Sequence, residues 1–281
     1  MRIDAHFHLW KYNREDYGWM EDGYMAIAHD ILPSQLEPEV RAAQIDLSVA
    51  VQARQTLKET EWLLQTASKS RHKIVVVGWV DLCSPDVAGQ IECYCADPAL
   101  KGVRHFLSLE PDDSFMLRAD FRRGLEAVAA RNLSFDLLVL PRQLAAAAQL
   151  VEQLPELRFV LDHLGNPDIA NDQQQPWADD LRRLAQYPNV WCKVSGLLTI
   201  APWNRWTPDL FAPYLDAAFD AFGEYRLLFG SDWPVCTCSG TYGDTVALVE
   251  NYLAQRAPSA LSKVMGLNAA TAYQIDISGL E

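Results

Sequence analysis

The sequence predicts an α/β protein of the (β/α)8 barrel class, a distorted TIM barrel that forms one domain over residues 1–281. Two observations predict this fold. Eight apolar runs rich in β-branched residues recur along the chain at intervals of roughly 30 residues, and segments with helical spacing of apolar residues separate them. Runs such as Ile74-Val75-Val76-Val77 lack two-residue alternation, which is typical of parallel strands buried on both faces. No low-complexity linker divides the chain, so a single barrel is favoured over two domains.

The predicted strands span Arg2–His8, Leu47–Ala53, Ile74–Leu82, Leu100–Leu107, Leu133–Leu140, Arg158–Gly165, Val190–Gly196 and Arg226–Asp232. The predicted helices between and after them include Leu57–Ser68, Phe121–Arg131, Arg142–Leu154, Ala178–Gln186, Asp209–Phe222 and Thr241–Gln255. Helix starts are indicated by two patterns, a capping box and a capping hydroxyl before proline. They occur at Ser34 with Glu37, Thr56 with Glu59, Ser84-Pro85 and Thr207-Pro208.

Charge and hydropathy exclude several classes of function. The chain has 24 basic and 37 acidic residues, a formal net charge of −13, which disfavours nucleic acid and anionic membrane surfaces as partners. No apolar run approaches the roughly 20 residues that cross a bilayer. The N-terminus lacks a basic segment followed by an apolar run, so we expect no signal peptide and a cytoplasmic protein. The six cysteines are expected to be free thiols, and the sequence leaves an oligomer open.

Polar residues cluster where the predicted strands end, which is where barrel enzymes place their chemistry. His6 and His8 end the first strand on one face, with Asp4 beneath them. His163 lies near the end of the sixth strand, and Asp232 ends the eighth, which is the first strand's neighbour in a closed barrel. We therefore expect Asp232 to face the histidine pair across the barrel mouth.

A second set of residues near the strand ends and adjoining loops has the chemistry to bind a polyhydroxylated ring. The predicted substrate-binding residues are Trp10, Gln52, Arg54, Trp79, Arg104, His105, Lys193 and Trp203. Arg104 and His105 must face opposite sides of a regular strand, so at most one is expected to line the pocket. The long loop Leu9–Pro33 is rich in aromatic residues and is predicted either to be a lid or to pack on the barrel rim.

These motifs together resemble the amidohydrolase superfamily, and within it the branch of small lactone hydrolases that includes L-fuconolactonases and L-rhamnono-lactonases. The motifs that carry the resemblance are Asp4-x-His6-x-His8 with Trp10, Gly102-Val103-Arg104-His105, Leu161-Asp162-His163-Leu164-Gly165, Lys193-x-Ser195-Gly196 and Phe229-Gly230-Ser231-Asp232-Trp233-Pro234. They cover almost the whole chain. The resemblance implies a hydrolase that opens a sugar-acid lactone, such as L-fuconolactone, in carbohydrate breakdown.

The metal content expected from the resemblance is low. Two-metal members of the superfamily place a bridging lysine or glutamate on strand four and a histidine on strand five. Here strand four offers Arg104-His105, and strand five offers no histidine. A binuclear site is therefore not expected. His6, His8 and Asp232, with His163 as a further ligand, can hold one zinc or manganese ion, but the similar lactonases include metal-free enzymes, so no metal is expected to be required.

Lactone opening needs a base for water, donors for the oxyanion and a proton for the leaving ring oxygen. Asp232 is predicted to be the base, and His6, His8 and His163 are predicted to polarise the carbonyl. Asp162 is expected to point away from the site. Two alternatives remain: a metal-dependent decarboxylase of the same superfamily, and a non-catalytic ligand-binding barrel.

Overall fold

The computed structural model describes residues 1–20 and 23–278 and confirms the barrel. Its strands are β1 Ile3–Phe7, β2 Leu47–Val51, β3 Lys73–Gly78, β4 Leu100–His105, β5 Ser134–Leu137, β6 Arg158–Leu161, β7 Val190–Val194 and β8 Leu227–Phe229. They form one sheet in sequential order, and each neighbouring pair is parallel. The barrel closes just beyond β8, where Asp232 N donates to His6 O at 2.8 Å and His8 N donates to Trp233 O at 2.7 Å.

The described residues form ten α-helices, most of them in the outer ring. They are α1 Pro33–Ala42, α2 Leu57–Lys69, α3 Val87–Cys95, α4 Ala119–Ala130, α5 Leu144–Gln153, α6 Trp177–Ala185, α7 Leu197–Ile200, α8 Pro208–Phe222, α9 Tyr242–Arg256 and α10 Asn268–Ala272. The six helices predicted by their apolar spacing are all present, with ends within three residues of the predicted ones. No helix in the described part of the chain is long and apolar enough to cross a membrane.

Two of the predicted helix starts are wrong. Helix α1 begins at Pro33, and the Gln35 side chain, not Glu37, accepts from the N-cap backbone N–H of Leu32 at 2.7 Å. Proline at the first helical position already has the required φ, so the helix starts two residues earlier than a cap at Ser34 predicts. Helix α3 starts at Val87, after Ser84 has closed a turn with its hydroxyl. Thr56 does cap α2, with Oγ1 accepting from Glu59 N at 3.2 Å.

Several strands end earlier than predicted because the chain turns sharply at their carboxyl ends. His163 has a φ of 52°, Asp232 a φ of 57° and Gly196 a φ of 67°. Left-handed backbone is costly for non-glycine residues and cannot continue a strand. Two of the predicted catalytic residues, His163 and Asp232, thus occupy strained positions, a situation that occurs most often at functional sites.

The core has an inner and an outer part. Apolar side chains such as Ile3, Val49 and Leu228 fill the lower barrel interior, and the C-terminal segment through Tyr273 packs against them. A larger apolar cluster lies between the strands and the surrounding helices. The six cysteines are free, as expected. The packed lower interior leaves the upper ends of the strands as the place for polar chemistry.

Candidate active site

The imidazoles of His6 and His8 meet the Asp232 carboxylate at the upper end of the barrel. Asp232 Oδ1 lies 3.7 Å from His6 Nε2 and 3.5 Å from His8 Nε2, and the two Nε2 atoms are 3.2 Å apart. All three side chains are buried or nearly so. The expectation that barrel closure brings Asp232 to this histidine pair is therefore confirmed by the geometry. Gly230, just before this turn, packs against β1, and a Cβ there would lie 2.7 Å from His6 Cβ.

His163 completes the cluster from the end of β6. Its Nε2 lies 4.0 Å from Asp232 Oδ1, and its ring centroid lies 4.5 Å from that of His6. Ser195 Oγ is 2.9 Å from His163 Nδ1 and so orients the ring. Gly196 makes room for it, because a Cβ at that position would lie 2.6 Å from Nδ1. Three imidazole nitrogens therefore converge on one carboxylate oxygen.

A fully buried network of charges lies beneath His6. Lys193 Nζ lies 2.5 Å from Asp136 Oδ2 and 2.9 Å from Asp162 Oδ1. Tyr273 OH donates to both oxygens of Asp136, at 3.0 and 2.9 Å, from the C-terminal segment below the barrel. Arg104 Nη1 donates to Asp162 Oδ2 at 2.9 Å. Two carboxylates and two cations thus form a network of balanced charge, as buried charges require.

The expectation that Asp162 points away from the site is wrong. Val160 faces the barrel interior, so Asp162, two residues later, stays on the inward face, whereas His163 departs from the strand alternation with its φ of 52°. Burial opposes its ionisation, but Lys193 and then His6 hold the pKa of Asp162 well below its usual range. Burial raises the pKa of Asp136 to about 6, against the opposing effect of Lys193. Asp162 is accordingly the carboxylate that pairs with both cations.

Burial disfavours the charged form of His6 and of His163. Burial lowers the pKa of His6 well below its usual value, and the nearby Lys193 lowers it further. Burial also lowers the pKa of His163, although Asp232 opposes the change. A neutral imidazole has one N–H donor and one lone pair, so each ring can donate a hydrogen bond or accept one according to its tautomer.

Asp4 fastens the turn that carries Asp232. Its Oδ1 accepts from Ser231 N at 2.8 Å and from His6 N at 3.1 Å, and its Oδ2 accepts from Ser231 Oγ at 2.6 Å and Tyr242 OH at 3.0 Å. Burial raises the pKa of Asp4 to about 6, and the bonds from Ser231 oppose the rise. Asp4 therefore holds backbone on both sides of the barrel closure and does not contact a histidine ring.

A cleft of about 280 Å³ opens above these residues. Asp232, His8, His163 and Arg104 form part of its polar lining, and the remaining lining residues are Trp19, Tyr24, Ala53, Phe106, Ser108, Leu109, Leu138, Asn166, Thr199, Ile200 and Val235. A small cavity with a few convergent polar groups is typical of a site for a small molecule. The apolar share of the lining was not evident from the sequence, because most of these residues lie in loops without a motif.

Of the eight predicted substrate-binding residues, Arg104 lines the cleft. His105 faces the outer layer, where its Nε2 lies 2.7 Å from Glu110 Oε1 and its ring stacks on Phe115. Arg104 and His105 thus face opposite sides of β4, as predicted. Lys193 lies below the cleft in the buried network.

The other five predicted residues are not among the described residues that line the cleft. Trp10 and Gln52 are fully buried, with Trp10 Nε1 donating to His29 O at 2.8 Å. Arg54 pairs with Asp16. Trp79 follows β3, and its backbone N–H donates to Thr60 Oγ1 at 2.7 Å. Trp203 packs edge-on against Tyr24, with ring centroids 5.2 Å apart.

The long loop after β1 packs on the barrel rim, which is one of its two predicted functions, and also contributes residues to the cleft wall. Trp19 and Tyr24 form part of the cleft wall, whereas Trp10 and Tyr17 are buried against the barrel rim. Trp19 Nε1 donates to Ala53 O at 3.1 Å and thereby joins the loop to the β2–α2 connection. Part of this loop, residues 21 and 22, lies outside the described residues.

The donor set at the cleft floor has the composition of a metal site. Ligand atoms of His6, His8 and Asp232 all lie within 4.8 Å of one another, and a second group consists of His6, Asp162 and His163. His8 Nδ1 lies 2.7 Å from Val51 O, an acceptor only, so its Nε2 lone pair is directed at the group. Two imidazoles and a carboxylate are suitable ligands for one divalent ion.

Comparison with known proteins places the chain in a family. The amidohydrolase family matches residues 3–275, almost the entire length. The chain belongs to the amidohydrolase family. Among curated relatives of this amidohydrolase, an L-fucono-1,5-lactonase from Burkholderia multivorans is 39% identical over 98% of this chain and 96% of the relative. A second L-fucono-1,5-lactonase, from Burkholderia ambifaria, is 37% identical over the same shares.

A solved structure supports the same relationship. An amidohydrolase from Burkholderia multivorans, crystallised with bound HEPES, is 38% identical to this amidohydrolase with a TM-score of 0.94, and the match covers 98% of this chain and 100% of that one. A second crystal form of an amidohydrolase from this organism, with bound zinc, matches with the same scores. Decarboxylases among the structural neighbours, at 12% and 15% identity, share the fold.

Proposed function

We propose that this amidohydrolase opens a sugar-acid lactone, L-fucono-1,5-lactone or a similar aldonolactone, to the free aldonic acid. The observation that carries the proposal is the convergence of three imidazole nitrogens on Asp232 Oδ1, at 3.5 to 4.0 Å, on the floor of a small cleft. The relatives named L-fucono-1,5-lactonase support the substrate class. These relatives favour a hydrolase over a decarboxylase. The decarboxylases among the structural neighbours share only the fold with this chain.

Asp232 acts as the general base in this proposal. Its distances to the three histidine nitrogens exceed a direct hydrogen bond and suit one bridging water molecule. Asp232 takes a proton from that water as the oxygen attacks the lactone carbonyl carbon. The C–O bond to the ring oxygen then breaks, and the proton returns from Asp232 to the departing ring oxygen, so that water is added across the ester bond.

Developing negative charge on the carbonyl oxygen requires fixed donors in a site of low polarity. His163, oriented by Ser195, and Arg104, held by Asp162, are both at the cleft surface and are suited to this task. His6 lies behind them and contacts Asp232 and His8. Neutral imidazoles serve well here, because an N–H donor stabilises the oxyanion without forming a permanent ion pair with the Asp232 carboxylate.

His6, His8 and Asp232 would hold a divalent ion such as zinc or manganese, as their ligand atoms fit one. The ion would supply Lewis-acid polarisation of the lactone carbonyl when bound. The related Burkholderia multivorans structure contains zinc. We propose that turnover does not require the ion, since this chain already places two cations, Lys193 and Arg104, within 3.4 Å of the His6 ring nitrogens.

Lactone opening is tested by proton release from a panel of aldonolactones, with the spontaneous hydrolysis rate of each lactone subtracted. Activity on L-fucono-1,5-lactone or a close stereoisomer is expected, with kcat falling by about 10² to 10⁴ in Asp232→Asn. The exposed Asp209 provides the matched control, Asp209→Asn, which should leave kcat unchanged. Absence of enzymatic opening across the whole panel would refute the proposed function.

Metal dependence is tested on the same preparation. After treatment with a chelator, and with the residual metal measured by elemental analysis, kcat is expected to stay at its initial value. If kcat is lost after chelation and returns when zinc or manganese is added, the proposal of lactone hydrolysis stands, but the proposal that turnover does not require a metal is overturned.

A further inference from the structure

Glu59, in the first turn of α2, is a buried carboxyl group that has no part in the proposed hydrolysis. Its Oε2 accepts from two successive backbone N–H groups, those of Ala53 at 3.1 Å and Arg54 at 2.8 Å. Its Oε1 accepts from Tyr17 OH at 3.2 Å. One side chain thus joins three segments of the chain: the loop after β1, the β2–α2 connection and the start of α2.

The residues that Glu59 holds belong to the cleft wall or support it. Ala53 lines the cleft, and its carbonyl oxygen accepts from Trp19 Nε1 at 3.1 Å. Trp19 also lines the cleft and lies two residues after Tyr17 in the loop after β1. Glu59 is therefore connected to this aromatic wall by two separate routes, one through Ala53 and the other through Tyr17.

A further contact between the β1 loop and the β2–α2 connection lies nearer the surface. Arg54 forms an ion pair with Asp16, and the two side chains are 20% and 36% exposed. An ion pair open to water contributes little, because water screens the charges and both side chains must be held in place. Two backbone N–H groups without an acceptor cost considerably more when they are away from water. The bonds to Glu59 therefore fasten the β2–α2 connection more firmly than the ion pair does.

We propose that Glu59 is a positioning residue that fixes the part of the cleft wall formed by Ala53 and Trp19, and so sets how tightly the cleft binds its substrate. The inference rests on the proposed function for the identity of that substrate, a sugar-acid lactone. The Glu59 side chain has no hydrogen bond to the base Asp232. Substrate binding, and not the chemical step, therefore depends on Glu59.

Two substitutions of similar size separate the hydrogen bonds of Glu59 from its packing. Glu59→Gln keeps an oxygen that accepts from the N–H groups of Ala53 and Arg54, and its amide can donate to the Tyr17 oxygen. Glu59→Met fills a similar volume and has no comparable acceptor. The conservative variant should therefore retain the wall, and the apolar variant should release it.

A second pair of variants tests the link to the loop after β1. Tyr17→Phe removes only the hydroxyl that bonds to Glu59. Tyr94→Phe is the matched control, because Tyr94 OH donates to Leu57 O, at 3.2 Å, at the start of the same helix, and neither residue lines the cleft.

Steady-state kinetics with the aldonolactone that the wild type opens fastest give the first test. KM is expected to rise by about tenfold in Glu59→Met and about threefold in Tyr17→Phe, with kcat unchanged within about twofold, because binding is lost equally in the ground state and the transition state. Glu59→Gln and Tyr94→Phe should keep the wild-type KM. A purely structural function would lower the stability of Glu59→Met without this separation of KM from kcat.

Hydrogen exchange measured by mass spectrometry gives the second test and needs no substrate, so it separates failure of this inference from failure of the proposed function. Peptides covering residues 9–20 and 52–58 are expected to exchange faster in Glu59→Met than in the wild type or Glu59→Gln. Peptides covering residues 134–140, on the far side of the barrel, should exchange at the wild-type rate.

Exchange in residues 9–20 and 52–58 that is as slow in Glu59→Met as in the wild type would overturn the proposal. A KM that rises equally in Glu59→Gln and Glu59→Met would also overturn it, because the hydrogen bonds would then not be the cause. If Glu59→Met does not fold, Tyr17→Phe decides the matter: a wild-type KM together with wild-type exchange in residues 9–20 contradicts the assignment.

Discussion

The Ser195 hydroxyl lies 2.9 Å from His163 Nδ1, and this pair links the carboxyl ends of β7 and β6. His163 has left-handed backbone, which costs on the order of 1 to 3 kcal/mol unless the surroundings hold it in place. Ser195 and the close approach of Gly196 supply that restraint. The ring that faces Asp232 is therefore oriented by residues of the neighbouring strand.

Ser195→Ala is expected to lower kcat by on the order of tenfold with little change in KM, because His163 loses the partner that sets its ring orientation. Ser48→Ala is the matched control, since Ser48 Oγ forms a similar contact with His72 Nε2, at 2.8 Å, away from the cleft. Steady-state kinetics of both variants check the prediction. Equal kcat in wild type and Ser195→Ala would show that the hydroxyl does not orient a catalytic ring.

Arg104 and His105 are adjacent in β4 but differ in the consequences expected of substitution. Arg104→Lys keeps the charge and loses the forked guanidinium geometry, so kcat/KM should fall by about 10²-fold. His105→Gln removes a contact with Glu110 in the outer layer and should cost about 1 kcal/mol of unfolding free energy, with kcat/KM retained. Kinetics and denaturant unfolding of both variants separate the two effects. A larger loss of kcat/KM in His105→Gln than in Arg104→Lys would contradict the assignment of Arg104 to the cleft.

Glu59 should make the stability of the protein depend on pH. Burial raises the pKa of this carboxyl to about 8, although it accepts hydrogen bonds from Arg54 N, Tyr17 OH and Ala53 N. The folded state binds the proton more tightly than the unfolded state, so this stabilisation is complete below about 4.5 and is lost as the pH rises towards about 8.

The free energy of unfolding of the wild type, relative to Glu59→Gln, is expected to fall between these pH values by at most about 1.4 kcal/mol per pH unit. The difference between wild type and variant cancels the other titrating groups. Urea unfolding at several pH values measures it. A difference that does not change with pH, or one that grows as the pH rises, would contradict this prediction.

The positions of the eight strands could be predicted from the sequence because buried parallel strands are short, apolar and rich in β-branched residues. The strand ends were less predictable. The predicted eighth strand runs to Asp232, whereas β8 ends at Phe229, because the chain turns there: Ser231 donates to Asp4, and Asp232, in a left-handed conformation, donates its backbone N–H to His6 O. Propensity along the chain contains no information about such contacts.

The meeting of Asp232 with His6 and His8 could also be predicted, since it follows from strand order and from the rule that chemistry lies at the carboxyl ends. The position of Lys193 below the cleft could not. Strand alternation gives the face on which a side chain lies and does not give its depth along the barrel, and this depth decides whether a long side chain reaches solvent or a buried carboxylate.

The sequence by itself determined the barrel, the order of its strands and the residue types at its mouth, because these depend on local hydrophobic pattern and on short motifs. The tertiary structure decided which polar groups form the cleft and which form the buried network of Lys193, Asp136, Asp162 and Arg104. Burial makes each of these charges dependent on partners from other strands, and such partners are distant in sequence. The chemistry of His6 is therefore set by contacts that no single segment of the chain contains.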